Sequence, residues 1–265
     1  MSKITLSKLK AIKAAGERFA VLTAYDATFA NLISSAGVEV MLVGDSLGMV
    51  LRGYDSTVPV TMQDMIYHVQ AVSRGNQGAL IMADLPYMSY STENSALENS
   101  ARLMQAGAQM VKLEGGAWLC GTIRRLAECG IPVCAHVGLT PQTVDKLGGY
   151  RVQGKDELAA KRLLDDALKM QEAGADILLM ECIPRALAAE ISSRLKIPTI
   201  GIGAGPDTTA QVLVLHDMLG IATDYCPKFV KNFLAENASV QEAIAAYAQA
   251  VKEGTFPAPE HCYAG

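Results

Sequence analysis

Val40-Met41-Leu42-Val43-Gly44-Asp45 is an apolar run of strand length that ends in a carboxylate. The same pattern recurs along the chain. Leu80-Ile81-Met82-Ala83 meets Asp84, Met110-Val111 meets Lys112-Leu113-Glu114, residues 131–135 meet His136, and Ile177-Leu178-Leu179-Met180 meets Glu181. Short apolar runs without alternation fit strands buried on both faces, as in parallel sheets. A charge at the end of one such strand says little. Repeated on successive strands, it predicts that the strand ends converge on one polar site. Parallel α/β barrels carry their active sites at that face.

Working outward, the runs alternate with helical segments. Strands are expected at residues 19–25, 38–44, 79–83, 109–113, 131–135, 176–180, 198–202 and 211–215, the last having the weakest pattern. Helices are expected at 26–35, 61–75, 94–106, 118–128, 157–172 and 185–195, with closing helices at 229–236 and 239–252. Ser35-Ala36-Gly37-Val38, Gln105-Ala106-Gly107-Ala108 and Glu172-Ala173-Gly174-Ala175 repeat one device: a helix end, a left-handed glycine, then a strand. Repeats of about 30 residues across the 265-residue chain suit a (β/α)8 TIM barrel, with a doubly wound open sheet as the other parallel arrangement. An amphipathic segment at 2–15 precedes the first strand and is placed to plug the bottom of the barrel. Two long connections, 46–59 and 137–154, read as loops over the site. No Pro-, Gly- or Ser-rich linker divides the chain, so residues 1–265 are read as a single domain.

The chain is 50% hydrophobic and 19% charged, with a net charge of −4. That balance speaks against nucleic acid as the main partner, since phosphate binding needs a basic face. A small anionic substrate must instead be held by local groups. Cys120, Cys129, Cys134, Cys182, Cys226 and Cys262 form no C-x-x-C pair and are read as reduced thiols of a cytoplasmic protein. The lysine-bearing N-terminal segment has no apolar region of signal-peptide type. No run approaches membrane-spanning length, so no membrane partner is expected.

Asp45, Asp84 and Glu114 fall at the ends of the second, third and fourth strands. Carboxylates so placed repel one another unless a cation neutralises them, and magnesium with oxygen ligands is the simple remedy. Taken singly, each could equally be an N-cap at a strand–helix turn. Lys112 and Glu114 share a strand face and can both point inward. A lysine there could form a Schiff base with a carbonyl substrate. Three nearby carboxylates would keep it protonated, which favours an electrostatic role; a structural ion pair with Glu114 is the plainer reading. Glu181, on the sixth strand, stands away from the acidic cluster and suits a general base, or else a solvent-facing rim position. His136 stays open between a substrate or metal contact and a structural residue. Gly201-Ile202-Gly203-Ala204-Gly205 fails the dinucleotide spacing and reads as a tight turn that leaves room for a ligand.

Read together and in order, several segments resemble the ketopantoate hydroxymethyltransferase family over nearly the whole chain. They are Thr23-Ala24-Tyr25-Asp26, Val43-Gly44-Asp45-Ser46-Leu47-Gly48, Ala83-Asp84-Leu85-Pro86, Val111-Lys112-Leu113-Glu114-Gly115-Gly116, His136-Val137-Gly138-Leu139-Thr140-Pro141-Gln142, Val152-Gln153-Gly154, the glycine run 201–205, and Pro227-Lys228-Phe229. The resemblance implies a TIM barrel of the phosphoenolpyruvate/pyruvate type, assembled as a homodecamer. It implies transfer of a hydroxymethyl group from 5,10-methylenetetrahydrofolate to 3-methyl-2-oxobutanoate, giving 2-dehydropantoate and tetrahydrofolate on the route to pantothenate. It also implies one Mg2+ per subunit held by Asp45 and Asp84, with Glu114 in or near the metal shell. Asp45, Ser46, Asp84 and Lys112 would contact the oxoacid, and Glu181 would accept the proton. Two stretches depart from the family pattern: Ala117, where an acidic residue is expected, and the run 222–226. The nearest rival is a metal-dependent aldolase or lyase acting on another 2-oxoacid without folate. A Schiff-base aldolase using Lys112 and a non-catalytic barrel stand further off, since a scaffold gains nothing from clustered like charges.

Overall fold

The computed structural model describes residues 3–221 and 226–264. Its strands are β1 (Phe19–Thr23), β2 (Val40–Val43), β3 (Leu80–Asp84), β4 (Met110–Glu114), β5 (Val133–Gly138), β6 (Ile177–Glu181), β7 (Thr199–Ile202) and β8 (Ala210–Leu213). All neighbours pair in parallel, in chain order, and β8 returns to β1 to close the barrel. The strands are buried almost throughout, which is why their sequences read as unbroken apolar runs rather than alternating ones.

The helices are α1 (Leu6–Ala14), α2 (Ala27–Ser35), α3 (Leu47–Val50), α4 (Met62–Gly75), α5 (Glu93–Ala106), α6 (Cys120–Glu128), α7 (Val144–Leu147), α8 (Glu157–Ala173), α9 (Arg185–Arg194), α10 (Leu215–Met218) and α11 (Val240–Glu253). Their starts are chemically marked. Thr61 and Asp64 form the reciprocal capping box at α4, and Asp26 and Asp156 cap α2 and α8. α1 spans the N-terminal mouth, as its position before the first strand suggested. Leu9 is fully buried, Ile4 donates its N–H to Gly78 O, and Lys10 pairs with Asp176 just ahead of β6.

The closing seam is tied from outside. Tyr247 of α11 brings its hydroxyl to 2.8 Å from Val21 O and 2.9 Å from Gln211 O, one carbonyl on each side of the β1–β8 junction.

Several boundaries differ from the sequence reading. Residues 229–236 do not form a helix; they make turns that end in one 3-10 turn at Leu234–Glu236. Phe229, Val230 and Phe233 are each driven into the core, and Phe233 packs edge-on against Tyr247 and Phe256, so burial of individual side chains overrides helical periodicity. β8 ends at Leu213, because Leu215 already begins α10. β5 runs on to Gly138, which places His136 inside the strand rather than past its end. The two long connections are not plain loops: 46–59 contains α3, and 137–154 contains a 3-10 turn and α7. The glycine run is absorbed by the crossover from β7 to β8, which has no helix. Gly203 and Gly205 adopt positive φ there, and Gln211 donates to Gly205 O.

Candidate active site

The C-terminal ends of the strands open into a cavity of about 890 Å3. Strand register delivers its charged residues side by side. Asp84 on β3 is the direct neighbour of Lys112 on β4, Glu114 of His136 on β5, and Gly138 of Glu181 on β6. The expected convergence of Asp45, Ser46, Asp84, Lys112, Glu114, His136 and Glu181 on one cavity is what the structure displays.

The connections between these residues carry the detail. Asp84 Oδ2 accepts the backbone N–H of Asp45 at 3.0 Å. Its other oxygen lies 2.9 Å from Lys112 Nζ, but in poor alignment, so it has no hydrogen-bond partner although it is buried. Glu114 Oε1 accepts the backbone N–H of Gln142 at 2.6 Å, and Oε2 faces His136 Nδ1 at 3.1 Å. His136 Nε2 reaches to 3.3 Å from Glu181 Oε2 without hydrogen-bond alignment. One imidazole therefore bridges the buried carboxylate and the one at the cavity wall. Glu181 is the more open of the two: its side chain is 16% exposed, against 1% for Glu114.

Burial and charge set the protonation states. Burial alone would drive Lys112 towards neutrality, but Asp84, Glu114 and Asp45 overcome it and raise its pKa, which fixes it as an ammonium and removes the amine lone pair that a Schiff base needs. Burial, followed by Asp84 and Glu114, pushes the Asp45 carboxyl well above the usual carboxylate range. Glu114 resists its own burial through His136, Lys112 and the Gln142 N–H, and stays below its ordinary value. His136 is pulled down by burial and by Lys112, yet Glu114 and Glu181 leave it raised overall.

Three contributors escape a reading of the sequence. Gln142 donates from Nε2 to Asp45 Oδ2 at 2.8 Å and to Leu85 O at 2.9 Å, and its Oε1 accepts the Tyr90 hydroxyl at 2.6 Å. Tyr25 OH pairs with Ser46 Oγ at 2.9 Å. Asp45 and Gln142 are 97 positions apart, so no spacing rule joins them. Gly44 is fixed by the same crowding: a Cβ there would sit 2.8 Å from Ser46 Oγ and 3.5 Å from Asp84 Oδ2.

Among the described residues, no group of three or more His, Cys, Asp or Glu side chains is placed to hold a metal ion by itself. Both Glu114 oxygens are engaged within the protein. Asp45 and Asp84 are different. They lie side by side and buried; one Asp84 oxygen has only the Lys112 ammonium, 2.9 Å away, as its ion-pair partner, and Asp45 carries a carboxyl that its surroundings penalise when charged. Such a donor pair fits a hard cation that takes one or two carboxylates and leaves its other positions to water and substrate.

A closed parallel barrel whose strand ends gather carboxylates, an imidazole and an ammonium in one cavity has the layout of an enzyme of the (β/α)8 class. Solved barrels of the same kind include a phosphonopyruvate hydrolase (TM-score 0.64, 15% identity, 83% of this chain and 84% of that one). A 2,3-dimethylmalate lyase of the phosphoenolpyruvate mutase/isocitrate lyase superfamily also matches (TM-score 0.58, 16% identity, 81% and 82%). The ketopantoate hydroxymethyltransferase family model matches residues 3–259, and this chain belongs to that family. It is 61% identical over 260 residues to the 3-methyl-2-oxobutanoate hydroxymethyltransferase of Marinobacter nauticus, covering 98% of each chain. It is 57% identical over 260 residues to 3-methyl-2-oxobutanoate hydroxymethyltransferase 2 of Hahella chejuensis, again covering 98% of each. Of the two departures from the family pattern, Ala117 opens a 3-10 turn at Ala117–Leu119, and residues 222–225 lie outside the described residues.

Proposed function

We propose that this chain transfers a hydroxymethyl group from 5,10-methylenetetrahydrofolate to 3-methyl-2-oxobutanoate, giving 2-dehydropantoate and tetrahydrofolate. The observation that carries this reading is the placement of Glu181 on the wall of the same cavity that a buried Asp45–Asp84–Lys112 cluster lines, in a chain of this family. Asp45 and Asp84 would hold a divalent cation, magnesium by family resemblance, with Glu114 beside it as counter-charge. When bound, that cation acts as a Lewis acid on the 2-oxo group and makes the C3 proton more acidic.

The chain's own residues do the rest. Lys112, held as an ammonium by its carboxylates, offers its charge to the substrate carboxylate. Ser46, oriented by Tyr25, presents a hydroxyl to the same substrate. Glu181 takes the proton from C3, and the electron pair of that bond forms the new bond to the methylene carbon of the folate as one of that carbon's two C–N bonds opens and the freed nitrogen takes a proton. Water supplies the hydroxyl oxygen as tetrahydrofolate leaves. His136 holds Glu181 towards C3 from behind.

No helix among the described residues is long and apolar enough to cross a membrane, and all six cysteines are free. These features support a cytoplasmic enzyme, and the family resemblance carries a homodecameric assembly.

The test is substrate exchange followed by turnover. With a divalent cation, the C3 proton of 3-methyl-2-oxobutanoate should exchange with D2O, and removal of the cation by EDTA should stop it. Product formation should then require methylenetetrahydrofolate. Turnover of another 2-oxoacid without folate, or borohydride trapping of substrate on Lys112, would overturn the proposal.

A further inference from the structure

The oxoacid accounts for only part of the cavity. The charged groups lie on the β2–β6 side, and about 890 Å3 is far more space than a small branched acid fills. The wall beyond them, from the ends of β7 and β8, is apolar, with Ile202, Leu213, Val214 and Ile221. Two polar side chains that the oxoacid chemistry leaves unused stand in that wall, His216 and Asp217 of α10. Neither makes a side-chain hydrogen bond or ion pair with the described residues. His216 Nδ1 is buried without a partner, and burial alone pushes the Asp217 carboxyl up to about 6. The His216 nitrogen left in this state is costly unless a ligand completes it, whereas Asp217, half-buried, keeps its carboxylate accessible from the cavity.

Tyr25, buried behind the cavity lining, touches both regions. Its ring centroid is 5.7 Å from that of His216, and its hydroxyl bonds Ser46, the neighbour of Asp45. One buried tyrosine therefore joins His216 to Ser46, and both of these residues line the same cavity.

We propose that Asp217, assisted by His216, is the recognition point for the pterin ring of the folate co-substrate. The inference rests on the folate reading above. A 2-amino-4-oxopterin is a flat heteroaromatic ring, and on one edge its amino group and the adjacent ring N–H lie side by side. A carboxylate has two acceptor oxygens at matching spacing and can take both donors. The ring body would lie against the apolar wall, and the pairing would supply the donors that Asp217 lacks. His216, lowered in pKa by its burial, offers an uncharged ring nitrogen to the same ligand.

The experiment measures tetrahydrofolate binding by calorimetry to the wild-type enzyme and to Asp217→Asn, with 2-desaminotetrahydrofolate as the second ligand. Loss of a charged hydrogen-bonding partner should weaken tetrahydrofolate by roughly tenfold to a hundredfold. The desamino compound, which keeps the ring N–H but lacks the amino donor, should bind the wild type more weakly than tetrahydrofolate does and should lose less affinity in the variant. Folate-independent C3 exchange, measured on the same samples, reports an intact barrel and oxoacid site. Wild-type binding of tetrahydrofolate with unchanged affinity in Asp217→Asn, or full discrimination against the desamino compound persisting in that variant, would overturn the assignment. Failure of the wild-type enzyme to bind tetrahydrofolate at all would instead overturn the folate reading itself, and this inference with it.

Discussion

His136 Nε2 lies 3.3 Å from Glu181 Oε2, while Nδ1 of the same ring faces Glu114. The carboxylate at the cavity wall and the one buried beneath it thus share a single imidazole. This relationship supports the proposed task of His136, aiming Glu181, which its place in the sequence left open. Replacing His136 with Gln should slow C3 exchange by roughly tenfold to a hundredfold, the usual cost of losing such a supporting partner. The pH profile of exchange should shift as well, because the imidazole beside Glu181, which Glu114 and Glu181 hold above its ordinary pKa against burial and Lys112, is gone. Oxoacid affinity should change less than the exchange rate. Deuterium exchange followed by NMR across pH checks all three.

Glu181→Gln keeps the shape of the side chain and removes its basicity. Exchange should fall by roughly a hundredfold to ten-thousandfold, while oxoacid and divalent cation still bind. Retained exchange in this variant would remove Glu181 from the role of base.

Lys112 is the ammonium that balances Asp84, Glu114 and Asp45 in a buried space. Lys112→Met leaves those carboxylates without it. Removing one partner of a buried pair costs about 3–5 kcal/mol, measurable as a lower midpoint of urea unfolding. A divalent cation replaces part of the lost charge, so added magnesium should raise the midpoint more in the variant than in the wild type.

Asp45 predicts how the cation competes with protons. Burial, then Asp84, then Glu114 hold its carboxyl well above the usual range. In the metal-free chain the folded state therefore binds this proton more tightly than the unfolded state. Its contribution to stability is present at low pH and is lost as pH rises through the raised value. A cation on Asp45 displaces the proton, so apparent magnesium affinity should increase as pH rises through the raised value, with proton release. Calorimetry in buffers of different ionisation enthalpy measures the protons released, and an affinity independent of pH would contradict the assignment.

Gly138 pairs with Glu181 across β5 and β6 at φ +98, and a Cβ there would fall 2.2 Å from Glu181 O. Gly138→Ala must move the end of one of these strands. The strained conformation alone should cost roughly 1–3 kcal/mol of stability. The shift displaces Glu181 as well, so exchange should weaken beyond what the stability loss explains.

Much of this architecture was legible in the sequence because parallel strands announce themselves. Val40–Val43 and the first four residues of Ile177–Glu181 are buried on both faces, so hydrophobicity alone marks them, and Gly37, Gly107 and Gly174 punctuate the units with positive φ. The ionisable residues at the strand ends were readable for the same reason, since the chain changes character abruptly where the barrel stops. The sequence by itself therefore determined the barrel, the face that carries the site, and the family. The tertiary structure alone decided which groups touch. Gln142 reaches Asp45, Tyr25 reaches Ser46, and His136 joins Glu114 to Glu181 through strand register and loop closure, contacts between positions that carry no mutual signal along the chain. The turns at 229–236 belong to the same class, because Phe233 follows the aromatic pocket of Tyr247 and Phe256 rather than the helical period of its neighbours. Local patterns fix which residues are buried; long-range packing fixes which of the buried polar groups become partners.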